Sequence, residues 1–394
     1  MHKLVKLPLA FLFIASLIGL ALRWHYYRPI EAFNYTNWLH AHSHIMFLGW
    51  AFNALSMGFV VCFVQERSQA WYKWPFYLIN LTVLGMLIAF PIQGYAFYSI
   101  AVSTLHTVFV VVLGVRFFKD TRAHRQNNAV WFARASLLFF LVSAVGPFVV
   151  GALAAKGLGH SDGYFMAIYY YLHFQYNGVF TFGALALFFY LLEQMGIVID
   201  LQAAKWFRWT LFVSCFPAYA LSTLWAGPPP VVYGVGLLAA TGQLLALYFL
   251  LRSMRGRWAG LAHRLLPLSR TLMAASLVAF MLKLALQLFS AFPSVALLAF
   301  ERRFYIIAYL HLVLLGFVTF FLLAWYSEQY GMPLKRWFTY LLLAGFVSSE
   351  LVMVSVGQWP GLFNIQKWMF ITSAALVLGI VGIATGAFHK HGPS

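Results

Sequence analysis

Six of the thirteen histidines fall inside long apolar runs, where an ionisable side chain is costly unless it is paired or bound to a ligand. They are His40, His42, His44, His106, His173 and His311. The neutral imidazole is a common protein ligand of haem iron, copper and zinc. These six are therefore candidate ligands. The alternative is a set of buried histidines that hydrogen-bond helix backbones or one another.

The elements that must position these histidines are membrane-spanning helices. Only 9% of the residues are charged and 63% are hydrophobic, whereas soluble domains have about a quarter charged. Stretches of about 20 apolar residues predict an all-α polytopic bundle of twelve spans, forming one membrane domain over residues 1–394. The first run is interpreted as a span, not a signal peptide, because no clear small-residue cleavage site precedes Arg23. Spans 1 to 12 are expected near 7–24, 37–64, 75–93, 96–116, 130–154, 163–192, 207–226, 230–251, 270–292, 304–326, 336–357 and 367–388.

The net charge of +17 is explained by membrane topology and not by binding to nucleic acid. With the N-terminus inside, 19 Lys and Arg residues lie in inner segments and 6 in outer segments. This bias places both termini in the cytoplasm, in an inner membrane of the bacterial type. The lipid bilayer is thus the partner that the composition predicts.

Helix direction then fixes the depth of the histidines. Spans 2, 4, 6 and 10 all run from outside to inside, and each histidine lies near the outer end of its span. At the rise of an α-helix, all six lie within roughly the outer 5–16 Å of the membrane. On span 2, His40 and His44 share a face and His42 points away from it, so the three cannot bind one metal on a regular helix.

Twelve spans can be built as three units of four, six of two or two of six. His44, His173 and His311 are each followed by a glycine after four intervening residues: Gly49, Gly178 and Gly316. These motifs lie in spans 2, 6 and 10, the same place in each unit of four. The recurrence points to three pseudo-repeats of four helices.

Four further charged residues accompany the histidines. Arg302 and Arg303 stand at the outer end of span 10, about 12–14 Å above His311. There they could neutralise haem propionates, or could extend to the interface as solvated side chains. Lys283 in span 9 and Glu350 in span 11 could form a structural pair or a proton path.

The histidine pattern resembles the main subunit of the haem–copper oxidases and their nitric oxide reductase relatives, a family with three pseudo-repeats of four helices. In that family, span 2 carries a low-spin haem ligand in a His-x-x-x-Met-like run, and His42-Ser43-His44-Ile45-Met46 is similar to it. The family's His-x-His pair in span 10 corresponds to Tyr309-Leu310-His311. The resemblance implies one low-spin haem b held by His42 and His311, with Tyr309 in place of the high-spin haem ligand.

The chain also departs from this family. Span 7 has no His-His pair, so the family's copper site is incomplete. His173 lies on the helix that gives the family's first copper ligand. We expect any second site, for copper or another metal, to use some of His40, His44, His106 and His173.

A second resemblance is to NnrS-type proteins, membrane proteins of similar length that act with haem and copper in the response to nitric oxide. Trp38-Leu39-His40-Ala41-His42 is similar to their early His-Ala-His helix. In that interpretation His40 and His42 correspond to the two histidines of that His-Ala-His motif.

Both resemblances imply a haem-binding redox protein that handles nitric oxide or a similar small molecule. They favour an oxidoreductase. Electrons would come from quinol or a separate donor protein, since the chain has no Cys-x-x-Cys-His motif for attached haem. Two alternatives stay open. One is a transporter of a metal ion or small solute that uses the intramembrane histidines, and the other is a haem sensor or assembly factor without turnover.

Overall fold

The computed structural model describes residues 2–359 and 364–389, and these residues form helices joined by short loops, with no β-strand among them. Within this part of the chain, eleven helices are long and apolar enough to cross a membrane. The all-α polytopic fold class is thereby confirmed. Spans 1 to 6 are Lys6–Tyr27, Tyr35–Phe63, Glu66–Gln93, Phe97–Asp120, Asn128–Ala155 and Asp162–Gln194; spans 8 to 12 are Pro230–Ser253, Pro267–Phe289, Arg303–Tyr330, Arg336–Gln358 and Ile365–Gly386.

Span 7 is not one continuous α-helix. It is α-helical over Leu201–Cys215 and continues as two 3₁₀ segments, Pro217–Ser222 and Leu224–Ala226. Pro217 has no N–H and its ring clashes with the preceding turn, which explains why the α-helix ends two residues before it. The break frees backbone groups that need partners elsewhere in the fold.

Local sequence signals mark where the helices start. The side chains of Asn34, Asn127, Ser161 and Asp200 each accept a hydrogen bond from a backbone N–H in the first turn of the helix that follows. Three further helices begin with proline at their first residue: Pro230–Ser253, Pro267–Phe289 and the short Pro293–Glu301. A second short helix, Trp258–Arg264, lies between spans 8 and 9.

The helices group into two compact units. Unit A comprises Met1–Arg122 with Leu322–Ser394, and unit B comprises Ala123–Phe321. In unit A, span 1 packs against spans 2 and 12, span 3 against spans 2 and 4, and span 11 against span 12. In unit B, span 5 packs against span 6, span 7 against span 8, and span 9 against span 10. That residues 1–394 act as a single domain stays a prediction.

Small residues allow close helix packing within unit A, as is usual in membranes. A Cβ atom added at Gly379 of span 12 would lie 2.6 Å from the backbone nitrogen of Leu342 on span 11. A Cβ added at Gly345 of span 11 would meet the backbone of Leu376 in return. Spans 11 and 12 therefore pack backbone to backbone along part of their length.

Candidate functional site

Three spans change from α-helix to π-helix immediately after a histidine. The π-helical segments are Ile45–Phe52 after His44, Phe174–Phe180 after His173 and Leu312–Thr319 after His311. π-Helical segments are rare in proteins, and those that occur are often found at functional sites. Their recurrence in spans 2, 6 and 10 gives the predicted three-fold repeat a structural counterpart.

The two π segments of unit B are stabilised by equivalent hydrogen bonds. The hydroxyl of Ser136 on span 5 donates to the Val179 carbonyl at 2.7 Å, and that of Ser276 on span 9 donates to the Phe317 carbonyl at 2.7 Å. Each carbonyl belongs to the sixth residue after the histidine. The threonine eight residues after each histidine bonds back into the segment: Thr181 to the Tyr176 carbonyl at 2.6 Å, and Thr319 to the Leu314 carbonyl at 2.7 Å. Side chains thus satisfy backbone groups that the π turn displaces.

His42, in unit A, is held against span 1. Its Nδ1 lies 2.8 Å from the carbonyl oxygen of Ala15, so the neutral ring donates this N–H and carries a lone pair on Nε2. Gly19 makes room for the ring, because a Cβ there would lie 2.8 Å from Cε1. Within the described residues Nε2 makes no hydrogen bond. A ring fixed by one nitrogen, with the other unbonded, is the usual state of a metal-ligating histidine.

Two predicted metal ligands, His40 and His106, lie around a third, His44, in unit A. His44 is close enough to both of the others to interact with them electrostatically. Its Nε2 lies 2.9 Å from the Tyr95 hydroxyl, and its ring stacks on Phe90 at 4.3 Å.

Other contacts hold the rings of this cluster in place. His40 meets the edge of Tyr95 with ring centroids 4.6 Å apart, and Nδ1 of His106 lies 3.1 Å from the Thr82 hydroxyl. Nδ1 of His44 is buried without a hydrogen-bond partner among the residues that the structure describes.

His173, the fourth predicted metal ligand, lies in unit B with both ring nitrogens engaged. Nε2 donates to the Cys215 carbonyl at 2.9 Å, and Nδ1 accepts from Nδ2 of Asn177 at 3.1 Å. Cys215 ends the α-helical part of span 7, and the N–H of Tyr219 bonds to the Phe216 carbonyl instead. His173 therefore supplies the donor that the helix break removes. In this arrangement it has no lone pair left for a metal.

His311, the second predicted haem ligand, also lies in unit B and is half-buried. Tyr309 contacts Tyr176 with ring centroids 5.8 Å apart, and its hydroxyl is buried without a hydrogen bond in the described part of the chain. Arg302 and Arg303 are exposed at the start of span 10. Their exposure agrees with either predicted role, at propionates or at the interface.

Lys283 and Glu350, the charged residues predicted to form a pair or a proton path, lie in different units. Lys283 is 1% exposed and lies near Cys215 and His173 in unit B, with its Nζ 5.7 Å from the centre of the Phe280 ring. Glu350 lies near Arg23 in unit A. Both the structural pair and the proton path stay predictions.

Within residues 2–359 and 364–389, no three His, Cys, Asp or Glu side chains converge so that they could hold a metal ion. The cluster of His40, His44 and His106 is thus a neighbourhood of imidazoles and not a preformed site. The copper site stays a prediction, and the described residues contain no converging set of ligands for it.

Several contacts of these histidines were not predicted from the sequence: Ala15 for His42, Tyr95 for His44, Thr82 for His106, and Cys215 with Asn177 for His173. Asn177 alone had a local signal, because it follows His173 by one helical turn. Ala15, Thr82 and Cys215 belong to other spans, and Tyr95 to the loop between spans 3 and 4.

The chain matches no protein-family model and no curated protein. The function therefore has to be argued from the site.

Proposed function

We propose that this membrane protein binds haem b, with His42 as an axial ligand, and acts as a redox protein on nitric oxide or a similar small molecule. The observation that carries the proposal is the state of His42: Nδ1 is fixed by the Ala15 carbonyl at 2.8 Å and Nε2 makes no hydrogen bond in the described residues. This is the geometry expected of a histidine prepared to bind iron.

The resemblance alone makes His311 the proposed second iron ligand; in unit B it directly precedes a π segment. Arg302 and Arg303, exposed at the start of span 10, supply cationic groups for the propionates. A bound low-spin haem would supply reversible one-electron transfer. The chain's residues would hold and orient it, and the apolar surroundings would exclude water.

Copper is not included in this proposal. The described histidines do not converge on a metal position, and both nitrogens of His173 already have hydrogen bonds. We propose quinol or a separate protein as the electron donor, since the chain has no motif for covalently attached haem.

The test is the optical spectrum of the full chain, purified in detergent after expression with haem supply. We expect a b-type spectrum, and we expect His42→Ala and His311→Ala each to bleach the low-spin band. His263→Ala is the matched control, because His263 is exposed on the short helix Trp258–Arg264, outside the spans. A colourless protein would sink the proposal, and bound metal without haem would favour the transporter.

A second measurement separates turnover from sensing. The reduced, reconstituted protein should consume nitric oxide, as followed with an electrode, and His42→Ala should abolish this consumption. Haem binding without consumption would identify a sensor or assembly factor.

A further inference from the structure

Unit B contains an apolar cavity that none of the predicted ligands lines. Its volume is about 230 Å³, and spans 6, 8, 9 and 10 line it together with the short helix Trp258–Arg264. The wall includes Leu185, Phe188, Leu261, Leu277 and Phe317. An apolar protein cavity of about 150 Å³ is large enough to take up benzene, so this one can hold a longer hydrocarbon.

The cavity offers almost no hydrogen-bonding group in its interior. Ser276 lines it, but the serine hydroxyl already donates to the Phe317 carbonyl at 2.7 Å. The one charged group in the lining is Arg270, which is exposed. One of its nitrogens donates to the Ala262 carbonyl at 3.3 Å, a long bond that leaves most of the guanidinium available.

The surface beside the cavity is strongly cationic. Between residues 252 and 270 the chain has five arginines and no acidic residue, and all five arginines are exposed. They are Arg252, Arg255, Arg257, Arg264 and Arg270. The nearby carboxylate of Asp200 caps a helix by accepting from the N–H groups of Gln202 and Ala203. Within the described residues none of the five arginines forms an ion pair, so their charge is available to an anion from outside the chain.

Trp258 adds a marker of membrane depth. It lines the cavity from the short helix, which also carries Arg264. Tryptophan favours the boundary between hydrocarbon and headgroups. The mouth of the cavity thus lies at headgroup level, with hydrocarbon below and cationic side chains above.

We propose that this cavity binds one acyl chain of an anionic phospholipid, whose phosphate lies beside Arg270. Basic pockets between membrane helices are suited to such headgroups. A quinol would need a partner for each of its two ring oxygens, and the one hydroxyl in the lining, that of Ser276, already donates to the Phe317 carbonyl. An acyl chain needs none. The proposal does not depend on haem binding.

Native mass spectrometry of the full chain in detergent tests the proposal. Dioleoylphosphatidylglycerol is titrated against dioleoylphosphatidylcholine, and we expect the anionic lipid to bind at least tenfold more tightly. Arg270→Gln should weaken it about fivefold, which corresponds to about 1 kcal/mol for one cationic side chain near the headgroups. Arg125→Gln, at an exposed arginine of another loop, is the matched control and should change nothing.

A second variant tests the cavity itself. Ala274 is exposed and lines the cavity, so Ala274→Trp should fill the space and remove binding of both lipids without unfolding the chain. Soluble glycerophosphoglycerol should not compete, because it has no acyl chain. Equal binding of both lipids, unchanged binding by Ala274→Trp, or preferential binding of a long-chain quinone would each overturn the proposal.

Discussion

Replacement of His173 separates a structural histidine from a metal ligand. His173→Leu keeps a side chain of roughly similar bulk and removes both hydrogen bonds, so the Cys215 carbonyl and the Asn177 amide each lose a partner. Hydrogen bonds between side chains in membrane proteins contribute about 0.6 kcal/mol on average and up to about 1.7 kcal/mol. Two such bonds give an expected loss of about 1 to 3 kcal/mol in the free energy of unfolding.

His173→Gln is the informative partner of this variant. The glutamine amide can donate to the Cys215 carbonyl as Nε2 does, but it does not replace Nδ1 as the acceptor for Asn177. We therefore expect about half the loss seen with leucine. The free energy is measured by unfolding in mixed micelles with increasing dodecyl sulfate, with His263→Leu as the exposed control.

The reasoning fails if His173→Leu unfolds at the same denaturant concentration as the parent chain, or if glutamine is as harmful as leucine. Metal analysis of the same samples adds an independent readout. A metal that is bound by the parent and lost in both variants would identify His173 as a ligand, and its ring would then have to leave the Cys215 carbonyl.

Three further outcomes are expected. Ser276→Ala should lower the free energy of unfolding by about 0.6 to 1.7 kcal/mol in the same assay, since the Phe317 carbonyl loses its donor. The control is Ser348→Ala, which should lower it less because the Ser348 hydroxyl bonds only within its own helix. An equal loss in both variants would contradict the role of Ser276. Gly19→Ala should shift the low-spin band of haem-loaded protein, because the new Cβ would lie 2.8 Å from the His42 ring; an unchanged band would contradict the assigned ring position. In a Cys62→Ser, Cys215→Ser background, a membrane-impermeant maleimide should label Gly159→Cys in intact cells and Gly256→Cys only after lysis; the reverse pattern would refute the predicted topology.

The membrane helices could be predicted because lipid imposes a simple rule on the sequence. Each span needs about 20 apolar residues, and eleven of the expected spans are continuous helices. Span 7 passed the same hydropathy test although its α-helix ends at Cys215. Hydropathy measures burial in lipid and is insensitive to a change from α to 3₁₀ geometry. Pro217 was the available signal for the break.

The candidate site was only partly predictable. The spacing between His44, His173, His311 and their glycines pointed to a repeated feature, but its π-helical form was not predicted. Ile45–Phe52 and Leu312–Thr319 are apolar almost throughout, so the sequence shows no period there that would distinguish a π turn from an α turn. The partners of the histidines were also hidden. His173 and Cys215 lie 42 residues apart on different spans, and only the packing of the helices brings them together.

The π segments have a consequence for the register of the helices that contain them. A π turn accommodates a residue more than the α turn it replaces, so deleting one residue from Leu312–Thr319 would let the α-helix continue with its backbone bonds intact. The half of span 10 beyond the deletion would then be rotated by about 100° relative to the half that carries His311. A single-residue deletion in the π segment of span 2, 6 or 10 would therefore turn the side chains of one half of the span toward different neighbours. The hydropathy profile of the span would stay unchanged.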